Sequence, residues 1–433
     1  MKYLVIIFCL FQLHSIAQPA KSGASLGTWQ EGFLDIHHIN TGRGNAAFCI
    51  LPDGTTLLID AGELSPLDSR TFSLRNASAK PDSSRRPYEW LVNYIKQVVP
   101  DSAHTTIDYA LITHFHDDHF GAWYPWAPLS KNGDYRLTGI TGVAELIHIN
   151  KLFDRGYPDY NYPFDLRKDA EQNRGGEIEF GHTMLNYFSF LKSGAANGML
   201  QQPFRAGSKD QIRLVHKPEI YSGFFIRNVK SAQWIWTGRD STVQKQFADQ
   251  PAMNKKRPDE NSLSLALTIN YGSFTYYSGG DNPGELFIGD DSLRDVETPI
   301  AKAVGGVDVA SMDHHGNRDA VNANMIRTLH PQVWVGQTWS SDHPGHEVLR
   351  RLRNTAIYPQ PGDLFSTNML EANKLVIGNM IDDVYKSQRG HVLIRVVPGG
   401  GEFYVIVLDD NQPDLKVKEV FGPYKSRSKQ TQP

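Results

Sequence analysis

Apolar and polar positions alternate loosely over 33–39, and strand-like runs follow over 46–51 and 55–59. The turns between them, Asn40-Thr41-Gly42-Arg43-Gly44-Asn45 and Pro52-Asp53-Gly54, make this a β-meander that opens a sheet. Residues 63–87 are rich in Ser, Pro and Arg, lack apolar period, and read as a long loop. Over 88–99 the spacing of Trp90, Leu91, Tyr94, Ile95 and Val98 predicts a helix. The nearly continuous apolar run 107–112 predicts a strand buried on both faces. Residues 150–210 read as an insertion, with a helix over 179–192 carrying Met184, Leu185, Tyr187, Phe188 and Leu191. Strands are expected at 212–215 and 233–236, and a hairpin at 263–270 and 274–278. A βα pattern follows: strand 307–312, helix 320–329, strand 333–336, helix 346–353. A C-terminal hairpin, 391–397 and 402–408, turns at Pro398-Gly399-Gly400-Gly401, and 425–433 reads as a disordered tail. The pattern is that of an α/β protein with one main domain over 30–410.

Composition narrows the class. The chain has 433 residues, 40% hydrophobic and 21% charged, which is globular and excludes bulk disorder or a coiled coil. A formal net charge of −3 does not support a nucleic-acid binder that works by global positive charge. Two cysteines exclude a disulfide scaffold and a Cys-rich zinc module. Lys2, the apolar run 3–13 and the small residues Ser15 and Ala17 have the order of a signal peptide, 1–17, cleaved after Ala17. The mature protein is then expected to be periplasmic or secreted, with no membrane attachment. Its one cysteine, Cys49, sits among apolar neighbours and reads as a buried thiol.

The candidate chemistry lies directly after the strand at 107–112. His114, His116, Asp118 and His119 fall within six residues, and imidazole and carboxylate are favoured ligands of zinc and similar ions. On an extended stretch His114 and His116 point to one side, and a turn at Asp117 brings Asp118 and His119 to an adjacent position. One ion can take the first pair and a neighbouring ion the second. Further ligands are available from Asp281, in Ser278-Gly279-Gly280-Asp281, as a bridging carboxylate, and from His314 or His315 in Met312-Asp313-His314-His315-Gly316.

In this order the residues resemble the metallo-β-lactamase superfamily. Gly42-Arg43-Gly44-Asn45, Leu57-Leu58-Ile59-Asp60-Ala61-Gly62 and Asp342-His343-Pro344 are similar to the branch that includes the hydrolase domain of bacterial DNA-uptake (competence) proteins. The resemblance covers about 33–355, leaving 150–210 outside it. It implies an αββα sandwich with the metal site at the strand ends. It also implies zinc, as one or two ions, with manganese as an alternative. Asp60 would hold a ligand histidine from behind, and His343 would face the site as a proton donor or substrate contact. Two departures stand out. Asn45 replaces an acidic residue, and the family's further histidine has only His148, His182 or His216 as counterparts.

The function expected is a secreted metal-dependent hydrolase of phosphodiester or related ester bonds, with a water activated by the ion and oriented by Asp118. Its partner would be an anionic small-molecule or polymeric ester, nucleic acid among the candidates. Arg70, Arg75, Lys80, Arg85 and Arg86 could attract such a substrate, and Trp123, Tyr124 and Trp126 could line the pocket. The alternatives are a non-catalytic, metal-stabilised binding module and a β-lactam hydrolase.

Overall fold

The computed structural model describes residues 20–101, 105–172, 178–249 and 257–427; the expected signal peptide and residues 428–433 lie outside them. In chain order the strands are β1 (Leu34–His38), β2 (Ala47–Ile50), β3 (Thr56–Ile59), β4 (Thr106–Leu111), β5 (His148–Asp154), β6 (Leu200–Pro203), β7 (Phe224–Ser231), β8 (Trp234–Trp236), β9 (Val243–Lys245), β10 (Ala266–Tyr271), β11 (Phe274–Ser278), β12 (Val309–Ser311), β13 (Val333–Gly336), β14 (Asp363–Ser366), β15 (Tyr385–Ser387), β16 (His391–Val396), β17 (Glu402–Leu408) and β18 (Val417–Lys425). The helices are α1 (Pro87–Val98), α2 (Asp117–Phe120), α3 (Gly139–Leu146), α4 (Leu166–Gln172), α5 (Ile178–Ala196), α6 (Glu297–Val304), α7 (Ala323–Leu329), α8 (His346–Arg353), α9 (Glu371–Ile377) and α10 (Met380–Val384).

The strands form two large mixed sheets, ordered β18-β17-β16-β1-β2-β3-β4-β5-β6 and β15-β14-β13-β12-β11-β10-β7-β8-β9. Short turns give antiparallel pairs such as β2–β3 and β10–β11. Where a helix or long crossover intervenes, as between β3 and β4 or β12 and β13, the pair is parallel. Alternation along each strand divides the core. In β2, Ala47 and Cys49 join a cluster that also holds Ile269, Tyr276 and Val335 of the second sheet. Phe48 and Ile50 face the other way, toward Leu91 and Ile95 of α1 and Ile140 and Val143 of α3. On the second sheet Ala310 and Trp334 pack against Ile300 of α6, Ile326 of α7 and Leu349 of α8. Consecutive His37 and His38 obey the same period: His37 Nδ1 meets Tyr94 of α1 at 2.9 Å, and His38 Nε2 meets Tyr276 of the other sheet at 3.0 Å.

Three expectations shift. Residues 212–215 are no strand: Ile212 and Leu214 are buried, but backbone donors go to side chains, Val215 N to Thr55 Oγ1 and His216 N to Asp53 Oδ2. The segment 150–210 is built into the fold, because β5 and β6 extend the first sheet and α5 covers it. The first sheet also runs past residue 410. Glu402 pairs with Lys425 across β17–β18, and Arg427 donates to Val307 O and His330 O. The polar outer face of β18 and its Gly422-Pro423 disguise it as tail.

A candidate metal centre

The parallel strands β3–β4 and β11–β12–β13 end at one edge, and the site is made of the residues that follow them. Asp60 follows β3, the stretch His114–His119 follows β4, Asp281 follows β11, His314–His315 follows β12, and Gln337–His343 follows β13. The first loop is drawn close by small residues: Asn45 N donates to Asp118 O at 2.7 Å, and a side chain on Gly62 would collide with that same carbonyl.

Asp118, His119, Asp281 and His315 each offer a ligand atom within 4.8 Å of the others, and all four are buried. His119 Nε2 lies 3.2 Å from Asp281 Oδ1 and 3.5 Å from Asp118 Oδ2. His315 Nε2 lies 3.0 Å from Asp118 Oδ2 and 3.5 Å from Asp281 Oδ2. The far nitrogens fix the tautomers. His119 Nδ1 donates to Asp60 Oδ2 at 2.7 Å, and His315 Nδ1 donates to Gln337 O at 2.8 Å. Both Nε2 lone pairs therefore face one another, 3.3 Å apart, and face two carboxylates. A buried set of acceptors like this calls for a cation, and its donor chemistry suits zinc or manganese.

The electrostatics agree. Burial opposes charge on Asp281, but His119, His315 and His314 hold its carboxyl well below the usual range. Burial likewise opposes the lowering of Asp118, and His119 and His315 outweigh it. Burial pulls His119 down, yet Asp281, Asp118 and Asp60 hold it well above the ordinary value. In the same way Asp281 and Asp118 push His315 up to about 9 despite burial. The carboxylates stay ionised and draw positive charge inward. His114 is the exception: burial, then the His119 charge, lowers it well below its normal value and keeps it neutral.

Asp60 is held in turn by Thr113, whose N–H donates to Oδ1 and hydroxyl to Oδ2, both at 2.8 Å. Asn45 donates to Oδ2 at 3.1 Å, so the residue that departs from the family pattern supports Asp60. His343 lines the cleft beside the cluster, stacked on His315 with ring centroids 4.7 Å apart. Burial, then the His315 charge, lowers it to about 3, so it is a neutral imidazole that can donate a hydrogen bond but holds no excess proton.

The other histidines lie elsewhere. His148 pairs with Thr106 at the opposite end of β4, His182 stacks on Trp123, and His216 is near Asp108, again at the far end. Of the loop cations only Arg70 and Arg75 reach the cleft, a space of about 370 Å³; Lys80 bonds Asn411, Arg85 lies over Trp90, and Arg86 reaches Tyr124. The aromatic trio does not line it: Trp123 packs on His182, Tyr124 bonds Glu63, and Trp126 is exposed. Asn261, Asp319 and Gln337 take part without having been expected. The Asp319 spacing, five residues after His314, was the one available signal, whereas Gln337 acts through its backbone, which side-chain identity does not encode.

No family model matches the chain, and no curated protein matches it. Among solved structures, it is similar to zinc-bound PqqB from Methylobacterium extorquens at 10% identity, over 81% of this chain and 87% of that one, with a TM-score of 0.34.

Proposed function

We propose that the protein is a metal-dependent hydrolase of the metallo-β-lactamase type, acting on phosphodiester or related ester bonds. The observation that carries this is the convergence of Asp118, His119, Asp281 and His315 on one buried point that opens to a cleft. The motif order and the helix–sheet–sheet–helix layering of the three apolar clusters support the αββα reading over about 30–410. A bound divalent ion would supply Lewis acidity and an activated water. The chain does the rest. Asp60 and Gln337 O fix which nitrogen of His119 and His315 faces inward. Asp118, which lines the cleft, orients the attacking water, and neutral His343 donates a hydrogen bond to the substrate or leaving oxygen. An ion with a purely structural role would be sealed, but Asp118, Asp281 and His315 all border the cleft, which favours turnover over a binding module.

Export belongs to the same proposal. Among the described residues no helix is long and apolar enough to cross a membrane. Sequencing the exported protein should give Gln18 as its first residue, and an intact Met1 would remove the periplasmic or secreted placement. The function is tested by metal analysis of the purified protein and by chromogenic phosphomonoester, phosphodiester, carboxylate-ester and β-lactam substrates, with and without chelator. Chelator-sensitive phosphodiester hydrolysis is expected. Absence of metal-dependent hydrolysis across all classes overturns the reading.

A further inference from the structure

His314 and His315 are chain neighbours, and both occupy the left-handed region, with φ of 46° and 55°. Two consecutive non-glycine residues in that region are costly, and the strain persists only where the surroundings enforce it. Its effect here is to separate the two imidazoles, whose centroids stand 6.2 Å apart, while both keep Nε2 turned toward Asp281.

His315 belongs to the four-residue cluster, and His314 does not. Yet His314 is prepared in the same way as the ligands that do. Its Nδ1 donates to Asp319 Oδ1 at 2.6 Å, the counterpart of the bond from His119 to Asp60. Asp319 is nearly buried, and its other oxygen faces Arg294 at 3.4 Å, so the carboxylate is itself held. The His314 Nε2 lone pair therefore points into the cleft. Asn261 Nδ2 donates to it at 3.2 Å, which marks the same nitrogen as the acceptor, while Asn261 Oδ1 is buried with no hydrogen-bond partner.

Beside this lone pair lie the two histidines the cluster leaves over. His114 Nε2 is 3.8 Å from Asp281 Oδ2, and His314 Nε2 is 3.9 Å from the same oxygen. His114 Nε2 and His116 Nδ1 are 3.1 Å apart. Ligands of one tetrahedral ion with bonds of about 2.0–2.1 Å stand about 3.3–3.5 Å from each other, so these spacings need only small movements to close. No other histidine is available, since His148, His182 and His216 lie elsewhere.

We propose that His114, His116 and His314 form a second metal position on the other side of Asp281, with Asp319 orienting His314. The adjacent pair thus serves two ions, His315 the first and His314 the second. A strained dipeptide replaces the separate histidine whose motif is missing. The inference rests on reading the cluster as a metal centre, and it adds an ion to it.

The test is calorimetric titration of the metal-depleted full-length protein with Zn²⁺, with bound metal measured after dialysis. Wild type should bind two ions. His314→Ala should bind one, and His315→Ala should disturb the tighter ion instead. Asp319→Asn, which preserves size, should keep two ions but weaken the second about 10–100-fold. Thermal melts identify any variant that fails to fold, and Asp319→Asn carries the test if His314→Ala does so. One ion in the wild type overturns the proposal while leaving a one-ion hydrolase standing, whereas no bound ion removes both. Two ions of unchanged affinity in both His314→Ala and Asp319→Asn also overturn it.

Discussion

Asp60 Oδ2 and His119 Nδ1 are 2.7 Å apart, and this contact sets the direction in which His119 presents its lone pair. Asp60 sits at φ 62° at the end of β3, fully buried, and accepts four hydrogen bonds from Thr113, Asn45 and His119. Asp60→Asn keeps the size and removes the charge. Metal affinity should fall about 10–100-fold, read by competition with a chromophoric chelator, while the far-ultraviolet spectrum stays unchanged. Unaltered affinity would mean that the cluster does not depend on this orientation.

Asp281 and His343 should fail in different ways. Asp281 faces every ligand imidazole in the cluster, so Asp281→Ala should lose both bound metal and ester hydrolysis. His343 stacks on His315 without reaching the shared oxygens, so His343→Ala should keep its metal while the rate drops by about 10²–10⁴. Parallel metal content and initial rates distinguish the two, and a metal-free His343→Ala protein would move that residue into the ligand set.

Three histidines far from the cleft should govern acid stability. Burial lowers His37 to about 3, and His38 and His391 to about 4. The unfolded chain, with ordinary histidines near 6.5, binds protons more readily than the folded one. Their contribution to stability is therefore complete above pH 6.5 and is lost as pH falls through 6 toward 4. Each costs about 1.4 kcal/mol per pH unit, so the three together give a slope of about 4 kcal/mol per unit. Urea denaturation at pH 7, 6 and 5 measures it, and a flat profile would show that these rings protonate without unfolding the sheet.

Lys230 is fully buried, and its Nζ donates to Ser262 O and Ser264 O at 2.9 and 2.8 Å. It ties down the turn that carries Asn261. Lys230→Met fills similar space but leaves two buried carbonyls without a donor, at about 1–3 kcal/mol each. A drop in the urea midpoint of that order is expected. Stability equal to wild type would show that water or a shift of the turn takes over both bonds.

The elements that could be read from sequence were those whose side chains face an apolar neighbour. The helix at 346–353 falls where α8 lies, and the 391–397 and 402–408 hairpin where β16 and β17 lie, because Val, Ile and Leu there alternate against a core. β18 and β14 escaped notice: β18 has a wet outer face, and β14 is four residues long. The run 212–215 misled for the opposite reason, being apolar while its backbone bonds to side chains. At the site, the His114–His119 stretch was legible because its ligands are contiguous. Asn261 and Asp319 were not, since their roles depend on the turn that Lys230 holds and on the left-handed path through His314.

The pairing of β1 with β16 has a consequence for how the chain is made. His38 and Val392 are partners 354 positions apart, and every residue of β1 waits for a neighbour from near the far end of the polypeptide. At about 5–20 residues per second, a ribosome needs roughly 20–70 s to cover that interval. Throughout it the β1–β2 hairpin presents a bare, apolar edge, the kind of surface that recruits other nascent chains. A holding chaperone, or delivery of the whole chain in unfolded form before the sheet closes, answers this hazard. Pulse-labelled chains truncated before residue 391 should therefore remain protease-sensitive in their first hundred residues, and full-length chains should become resistant only after release.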